Sequence, residues 1–144
     1  MNPNSQKLIH NANLIDVINN SGFRLTSSRK LIVEHLSVKD SGFTADEINS
    51  GLPSVSRATV FRTLKLLLQV DVICRVATID GVPRYSLSRG EHHHHTVCIQ
   101  CDKVGEFKAS MIEKLLDTLS PDIPGKIIGH NIEFHIVCSD CIEK

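Results

Sequence analysis

The ten residues HHHHTVCIQC, numbered 92–101, place four histidines directly before a Cys-x-x-Cys pair. Imidazole nitrogens and thiolates are preferred ligands of zinc and other borderline divalent metals. An affinity tag would give a similar histidine run, but tags lie at chain ends and this run lies inside the chain. The segment therefore predicts a metal site.

A second Cys-x-x-Cys pair lies near the end of the chain. Two-residue spacing lets a tight turn direct both thiolates at one ion, so two such pairs predict a tetrahedral zinc site. The alternative is two independent redox dithiols. The 36 residues between the pairs are too many for a simple zinc ribbon, so a folded segment must intervene. The predicted ligands are Cys98, Cys101, Cys138 and Cys141.

The histidine run predicts two further groups of ligands if it begins a β-strand. Alternation along a strand sends His92 and His94 to one face and His93 and His95 to the other. Each face would then contribute to a different site. The downstream candidates to complete them are Glu106, Glu113, His130 and His135, whereas His10 and His35 are interpreted as structural or surface residues.

Downstream of the first cysteine pair, the pattern predicts a helix and a strand that support the ligands. SMIEKLLDTL, from Ser110 to Leu119, has helical spacing of apolar residues, and KIIGHNIEFHIV, residues 126–137, predicts a long strand. Together they predict a small α/β unit around the cysteine cluster.

The front of the chain predicts four helices. The first lies within residues 8–23 and stops at Ser21-Gly22, and the second begins after Thr26 or Ser27. The apolar face of the second helix is expected to contain Leu31, Ile32, His35 and Leu36. Thr44 and Glu47 have capping-box spacing before a short helix that contains Ile48, an expected core residue. Ser54 or Ser56 caps a final helix that reaches about Val70.

The short helix, turn and polar helix predict a helix-turn-helix, in which the second helix enters the DNA major groove. Two β-rich runs then flank Asp80-Gly81, a hairpin turn signal that predicts a wing. The alternative is an ordinary solvated helix face. The polar side of the last helix carries Arg57, Thr59, Arg62, Thr63 and Lys65.

Composition and charge agree with two domains of different chemistry. Apolar residues form 41% and charged residues 22% of the 144 residues, which is typical of a soluble globular chain. Residues 1–90 have 11 Lys and Arg against 7 acids (+4), and residues 91–144 have 5 against 9 (−4). This asymmetry indicates that the N-terminal part binds a polyanion and the C-terminal part binds cations. The sequence has no apolar run of about 18 residues, so no membrane span is predicted. No secretion signal is evident at the N-terminus, so a reducing cytoplasm is the expected location.

Together these segments resemble the ferric uptake regulator family of bacterial metal-responsive repressors. The matching segments occur in the family's order along nearly the whole chain: RLTSSR, TADEI, SRATVFRTLKLL, HHHHTVCIQCDKVGEF and CSDC. The resemblance implies an α+β fold, with a winged helix-turn-helix and hinge in residues 1–89 and an α/β dimerisation domain in residues 90–144. It also implies a homodimer that binds a palindromic operator when loaded with metal, and no enzymatic activity.

The resemblance implies three metal sites. Cys98, Cys101, Cys138 and Cys141 match the structural zinc site. The site within the dimerisation domain matches His92, His94, Glu113 and His130. His93 and His95 match the sensory site at the hinge, for which Cys74 is the expected third ligand; the alternative for Cys74 is a small buried hydrophobic residue of a strand. The fourth ligand is open among Ser88, Glu91 and Glu106, with Glu106 preferred by its family position. The expected DNA-contacting residues are Arg24, Arg57, Thr59, Phe61 and Arg62.

Three departures from the family pattern bear on the metal and the operator. Gly42 replaces a histidine, and Ser86 replaces a carboxylate, of the iron and peroxide sensors. The loss of two ligands, together with the fifth cysteine at Cys74, favours a tetrahedral zinc sensor like the zinc uptake regulator branch. An iron- or manganese-responsive regulator is the alternative. Phe61 replaces a tyrosine, which removes a hydroxyl that could form a hydrogen bond to a base.

Two other classes of function compete with this hypothesis. A zinc hydrolase would need an open coordination position and a general base, and the sequence contains no H-E-x-x-H. A structural, zinc-stapled protein-interaction module would use the front helices to bind protein rather than DNA. Salt-sensitive binding to an operator duplex would separate that module from a repressor.

Overall fold

The computed structural model describes residues 14–39, 42–88 and 92–144. The chain divides into two compact units, residues 1–90 (unit 1) and 91–144 (unit 2). The domain boundary predicted at residues 89 and 90 falls outside the described residues, as do His10 and the predicted start of the first helix. Each unit is described by itself.

The described residues of unit 1 contain four helices, and side-chain caps set the starts of the second, third and fourth. The Thr26 side chain accepts a hydrogen bond from the Arg29 amide, and Ser56 accepts one from the Thr59 amide. Thr44 and Glu47 form the predicted capping box at the third helix. These bonds satisfy amides that a helix leaves without internal partners. The helices are α1 (residues 14–20), α2 (Ser27–Ser37), α3 (Ala45–Gly51) and α4 (Arg57–Gln69).

The hydrophobic core of unit 1 lies where these helices meet. Ile32, Ile48 and Leu67 are each fully buried, so the expectation that Ile48 is a core residue is confirmed. Leu31, predicted on the apolar face of α2, is 42% exposed, and that prediction is wrong. The buried residues of α2 are Ile32, Val33, Leu36 and Ser37, so at 100° per residue the packed face is centred about one residue further along the helix than predicted.

A three-stranded sheet completes unit 1. Its strands are β1 (Phe43–Thr44), β2 (Ile73–Val76) and β3 (Arg84–Leu87), in the spatial order β1-β3-β2 with both pairings antiparallel. The predicted hairpin is present, with Gly81 at φ 74° and the Asp80 carboxylate accepting the Val82 amide hydrogen. The connection spans residues 77–83 and is longer than the two-residue turn suggested by Asp80-Gly81.

Unit 2 is built around a central strand that carries the ligand-rich segment. The strand β4 (His94–Cys98) pairs antiparallel with β5 (Val104–Phe107) and parallel with β6 (Glu133–Ile136). The helix α5 (Ser110–Leu119) has the predicted bounds, and a short 3-10 turn (Ser120–Asp122) and the helix α6 (Ser139–Ile142) follow in the chain.

The long strand predicted for residues 126–137 is wrong, because only Glu133–Ile136 pair with β4. Residues 126–132 have irregular structure. Ile128 is 95% exposed and none of residues 126–132 is buried, so apolar packing contributes little to hold this segment as a strand. None of the helices in the described ranges is long and apolar enough to cross a membrane.

Candidate metal centres and nucleic-acid interface

The structure brings the four predicted cysteines of unit 2 together. The Cys98 and Cys141 sulfurs are 3.9 Å apart, and those of Cys101 and Cys138 are 3.7 Å apart. All four sulfurs lie within 4.8 Å of one another. Zn–S bonds of about 2.3 Å in a tetrahedron place neighbouring sulfurs about 3.8 Å apart. The cluster therefore has the dimensions of a closed zinc tetrathiolate.

Each cysteine pair occupies a turn that aims its sulfurs inward. Cys98 ends β4, and the chain reverses through Asp102, whose φ is 60°. Cys138 is the N-cap of α6, and its backbone amide donates to the Cys98 sulfur at 3.3 Å. The parallel pairing of β4 with β6 brings these two turns to the same end of the sheet.

The thiols of the cluster have unequal acidity. Hydrogen bonding by the Cys138 amide lowers the pKa of Cys98 to about 6. Hydrogen bonding with the Cys138 thiol raises the pKa of Cys141 to about 12. Four negative sulfurs at this spacing repel one another, so a cation among them is required to hold all four as thiolates.

An ion pair joins the two cysteine turns at the surface. The Lys103 ammonium donates to the Asp140 carboxylate at 3.0 Å, and both side chains are more than half exposed. The hydrogen bond and charge of Asp140 raise the pKa of Lys103. The pair adds a tether between the segments that carry the four sulfurs.

A second cluster gathers three imidazoles around the Glu113 carboxylate. One Glu113 oxygen lies 3.0 Å from His92 Nε2, 3.1 Å from His94 Nε2 and 3.3 Å from His130 Nε2. His94 begins β4 and His92 lies two residues before it, Glu113 is in the first turn of α5, and His130 lies in the segment before β6. His94 is almost fully buried and Glu113 is half-buried.

The electrostatics of this cluster favour a bound cation. Burial tends to raise the pKa of Glu113, but the hydrogen bond to His94 and the charges of His130 and His92 outweigh it and lower the pKa. His92 Nε2 and His130 Nε2 are 3.0 Å apart. Nitrogens bound to one tetrahedral zinc at about 2.05 Å would be about 3.3 Å apart. The four side chains therefore fit a single zinc ion with little movement.

His93 and His95 lie on the opposite side of the strand, as alternation predicts. Their ring centres are 4.8 Å apart, while those of His92 and His94 are 4.9 Å apart. His95 is buried and its Nε2 has no hydrogen-bond partner among the described residues. Burial and then the charge of His93 lower the pKa of His95, so its neutral form, the form that can bind a metal, is favoured.

Two carboxylates flank His95 across the sheet. Glu106 on β5 and Glu133 on β6 are the register partners of His95. Glu106 was expected from the sequence, whereas Glu133 was missed because the strand containing it was placed without its register. His135, another candidate ligand, is exposed on β6 opposite Val97, and no described cluster of metal-ligating side chains contains it.

Within unit 1, Cys74 lies on β2 directly opposite Ser86 of β3 and is half-buried. Cys74 and Ser86, the two wing residues that the sequence analysis singled out, are therefore cross-strand neighbours. Gly42 begins the described segment that leads into β1.

The exposed face of α4 carries most of the expected DNA contacts. Arg57, Phe61, Arg62 and Lys65 are exposed, whereas Thr63 is buried. Thr59 is half-buried, and its hydroxyl lies 2.9 Å from that of Ser56, so it supports the helix start. Arg24 is exposed just before α2. Sequence reasoning missed Asp46, whose carboxylate contacts Arg57 at 2.6 Å, because the two residues are 11 positions apart and lie on different helices.

Comparisons with known proteins follow the same order of elements. The sequence model of the ferric uptake regulator family matches residues 20–135. A ferric uptake regulation protein of Bacillus subtilis (strain 168) is 32% identical over 138 residues, which cover 88% of this chain and 91% of that relative.

Solved structures agree with the fold. A ferric uptake regulator from Francisella tularensis, determined with iron, has a TM-score of 0.72 and 27% identity, and the match covers 84% of this chain and 96% of that one. A zinc uptake regulator complexed with zinc and DNA has a TM-score of 0.74 at 22% identity and 95% coverage of both chains, a likeness of fold alone. The predicted α+β architecture, a winged helix-turn-helix followed by an α/β dimerisation domain, is confirmed.

Proposed function

This chain belongs to the ferric uptake regulator family, and from that premise we propose that it is a zinc-responsive repressor of metal uptake genes. Membership makes it a metal-responsive transcription regulator, which confirms that it is not an enzyme. Regulators of this family bind DNA and act as dimers. Zinc as the sensed metal, the palindromic operator, a cytoplasmic location and the residue roles below are parts of the proposal.

The main support for zinc as the sensed metal is the chemistry of the side-chain clusters in unit 2. Three imidazoles surround a single carboxylate, and four thiols lie within 4.8 Å of one another. Nitrogen- and sulfur-rich sets of four suit tetrahedral zinc, whereas iron(II) and manganese(II) sites of five or six ligands use more oxygen. The absence of a histidine at Gly42 and of a carboxylate at Ser86 supports the same metal.

The three groups of ligands have different proposed roles. The cysteine cluster is a structural zinc site with no open position, so it stabilises the fold of unit 2. The cluster of His92, His94, Glu113 and His130 binds a second ion that links β4, α5 and the segment before β6. The regulatory site uses Cys74, His93, His95 and Glu106, and its support is the buried, unsatisfied Nε2 of His95 with Glu106 opposite.

DNA binding is assigned to α4 of unit 1, with Arg57, Phe61 and Arg62 exposed toward the duplex, Arg24 as a backbone contact and Thr59 at the helix start. Metal binding that favours the DNA-competent conformation must be strengthened reciprocally by DNA. A coupling of about 1–3 kcal/mol is typical and corresponds to about 5- to 150-fold in affinity.

The homodimer is supported by the surface of unit 2. The helix α5 has no buried residue, although it carries several large apolar side chains. An apolar patch of this kind is typical of an interface. The exposed apolar residues on α5 and the neighbouring elements are Met111, Leu115, Leu119, Ile123, Phe134 and Ile136.

The first test is binding to a duplex from the protein's own upstream region at fixed salt. Protein that retains only its tightly held zinc is titrated with buffered Zn(II), and then anaerobically with Fe(II) and Mn(II). Binding that zinc switches on at lower free concentration than iron or manganese supports the proposal. Activation by iron or manganese alone assigns the protein to the alternative regulators of the family. Absence of binding to any duplex would favour the protein-interaction module.

Two variants separate the regulatory site from the rest. Cys74→Ser should raise the free zinc concentration needed for DNA binding by about tenfold or more, because one of four ligands is lost. The control is Ser86→Ala, which changes the cross-strand neighbour of Cys74 without adding or removing a thiol and should leave zinc activation unchanged. Unchanged zinc activation in Cys74→Ser would remove Cys74 from the site and leave the metal clusters of unit 2 intact.

A further inference from the structure

Arg57, the first residue of α4, is held between two side chains of unit 1. Its Nη1 lies 2.6 Å from the Asp46 carboxylate of α3, and its guanidinium carbon lies 5.2 Å from the centre of the Phe61 ring. Phe61 follows Arg57 by four residues and is therefore its neighbour on the exposed face of α4. The three side chains join the two helices of the helix-turn-helix at the surface expected to meet DNA.

The helix itself does not explain why an arginine stands here. The N-terminal end of a helix carries a partial positive charge, which disfavours a cation, and the first turn of α4 contains no acidic residue to compensate. Asp46 supplies that compensation from another helix. Because Arg57 and Asp46 are 63% and 66% exposed, their ion pair is well solvated and stabilises the fold only slightly. The arrangement is better explained by binding than by stability.

We propose that Asp46 is a positioning residue that presents Arg57 to the major-groove edge of a guanine and disfavours its contact with phosphate. A guanidinium has five N–H donors, so engagement of Nη1 by Asp46 leaves a donor pair for the O6 and N7 acceptors of guanine. The Asp46 carboxylate repels the negatively charged phosphates. It does not repel the edge of a guanine base, because that edge carries no net charge. Packing on Phe61 further restricts the side chain, which reduces the entropy lost on binding.

This inference deepens the proposed function, since it depends on α4 entering the major groove. It makes Asp46 a determinant of specificity although it would not contact DNA. Two opposite effects of removing the Asp46 charge follow. Affinity for any duplex rises because Arg57 can reach phosphates, while the preference for guanine at one position of each half-site falls.

The experiment uses metal-loaded protein and duplexes selected by the wild type from a randomised library. The wild type is compared with Arg57→Ala, Asp46→Asn and the double variant on the selected duplex, on versions with each base changed in turn, and on an unrelated duplex. Arg57→Ala should lose about tenfold or more of the preference for guanine at a single position. Asp46→Asn should lose about threefold or more at that same position, gain affinity for the unrelated duplex, and have no further effect when Arg57 is already alanine.

The matched control is Glu34→Gln, which removes a half-buried carboxylate of the same unit that pairs with Lys30 on α2. It measures how much the change in net charge alone strengthens binding. The dependence of affinity on salt provides a second measurement, because loss of a phosphate contact reduces the slope of log K against log salt by about 1. Arg57→Ala should leave that slope unchanged.

Three results would overturn the inference. The first is a uniform loss of affinity for all duplexes in Arg57→Ala with a reduced salt slope, which would make Arg57 a phosphate contact. The second is an unchanged base preference in Asp46→Asn while the wild type binds DNA, which removes the role of Asp46 alone. If the metal-loaded wild type selects no duplex, the proposed function fails and the role of Asp46 fails with it.

Discussion

The two units of this protein are stabilised by different interactions. Unit 1 has a continuous hydrophobic core that extends from Leu14 to Tyr85. Unit 2 has 54 residues but buries few apolar side chains, namely Val97, Cys98 and Val104. Two of its best-buried polar side chains are His94 and His95. A unit that cannot form a sufficient core from apolar residues depends on ligands and partners for stability, and the same residues can then make its structure responsive to metal.

Removal of the cysteine cluster should break this comparison most strongly. Cys138→Ser should unfold unit 2 and leave unit 1 folded, because structural zinc contributes about 10–16 kcal/mol of apparent folding free energy in small zinc domains. Hydrogen exchange resolved by segment would show lost protection in β4, β5 and β6 and retained protection in α2 and α4. Cys74→Ser is the control, since it makes the same substitution outside the cluster. Equal protection of unit 2 in both variants would contradict the dependence on zinc.

The converse change is made in the core of unit 1. Leu67→Ala should lower the free energy of unfolding of unit 1 by about 2–5 kcal/mol, because it leaves a cavity around a fully buried side chain. The zinc content of unit 2 should be unchanged. Leu31→Ala, at a position that is 42% exposed, should cost far less. Denaturant unfolding followed by helical circular dichroism, together with a zinc assay, gives both quantities. Loss of zinc from Leu67→Ala would show that the two units are not independently stabilised.

A smaller effect is expected where α2 meets α3. A Cβ at Gly51 would lie 2.6 Å from Cε1 and 2.7 Å from Nε2 of His35. The displacement of a ring from a packed position costs about 1–3 kcal/mol, which the better helix propensity of alanine offsets by about 1 kcal/mol. Gly51→Ala should therefore be destabilising, and the same change in a His35→Ala background should not be. Equal effects in both backgrounds would exclude the clash as the cause.

The smallest effect sharpens the contrast between a histidine of unit 1 and the histidines of unit 2. Burial, followed by the charge of Lys39, lowers the pKa of His35, and its Nε2 has no hydrogen-bond partner in the described parts of the chain. His35 has a pKa of about 6.5 in the unfolded state, so near and below this pH the unfolded state binds more protons than the folded state. The stability contribution is complete above that pH and is lost as pH falls toward the folded pKa. His35→Gln should flatten the pH dependence of unit 1 stability between pH 7 and 5, measured by hydrogen exchange of α2.

The elements that local chemistry determines were predicted well. The capping box at Thr44 and Glu47 and the bounds of α5 agree with the structure, because caps and apolar periodicity act over a few residues. The strand predicted for residues 126–137 was too long, because pairing with β4, rather than propensity, determines where β6 begins. Leu31 shows the same limit, since neighbouring helices decide which residues of an amphipathic face are buried.

The sequence alone determined which side chains are proposed as ligands and, through alternation along β4, the division of the four histidines between two faces of a strand. Spacing also predicted that each Cys-x-x-Cys would present two sulfurs to one ion. Only the tertiary structure gave the geometry of these groups, in which the four sulfurs lie within 4.8 Å of one another and one Glu113 oxygen meets three imidazoles. It also decided that Glu133 flanks His95 and that Asp46 holds Arg57. Sequence spacing is informative within one helix or strand, whereas contacts between elements depend on strand register and helix packing, which are set by the whole chain.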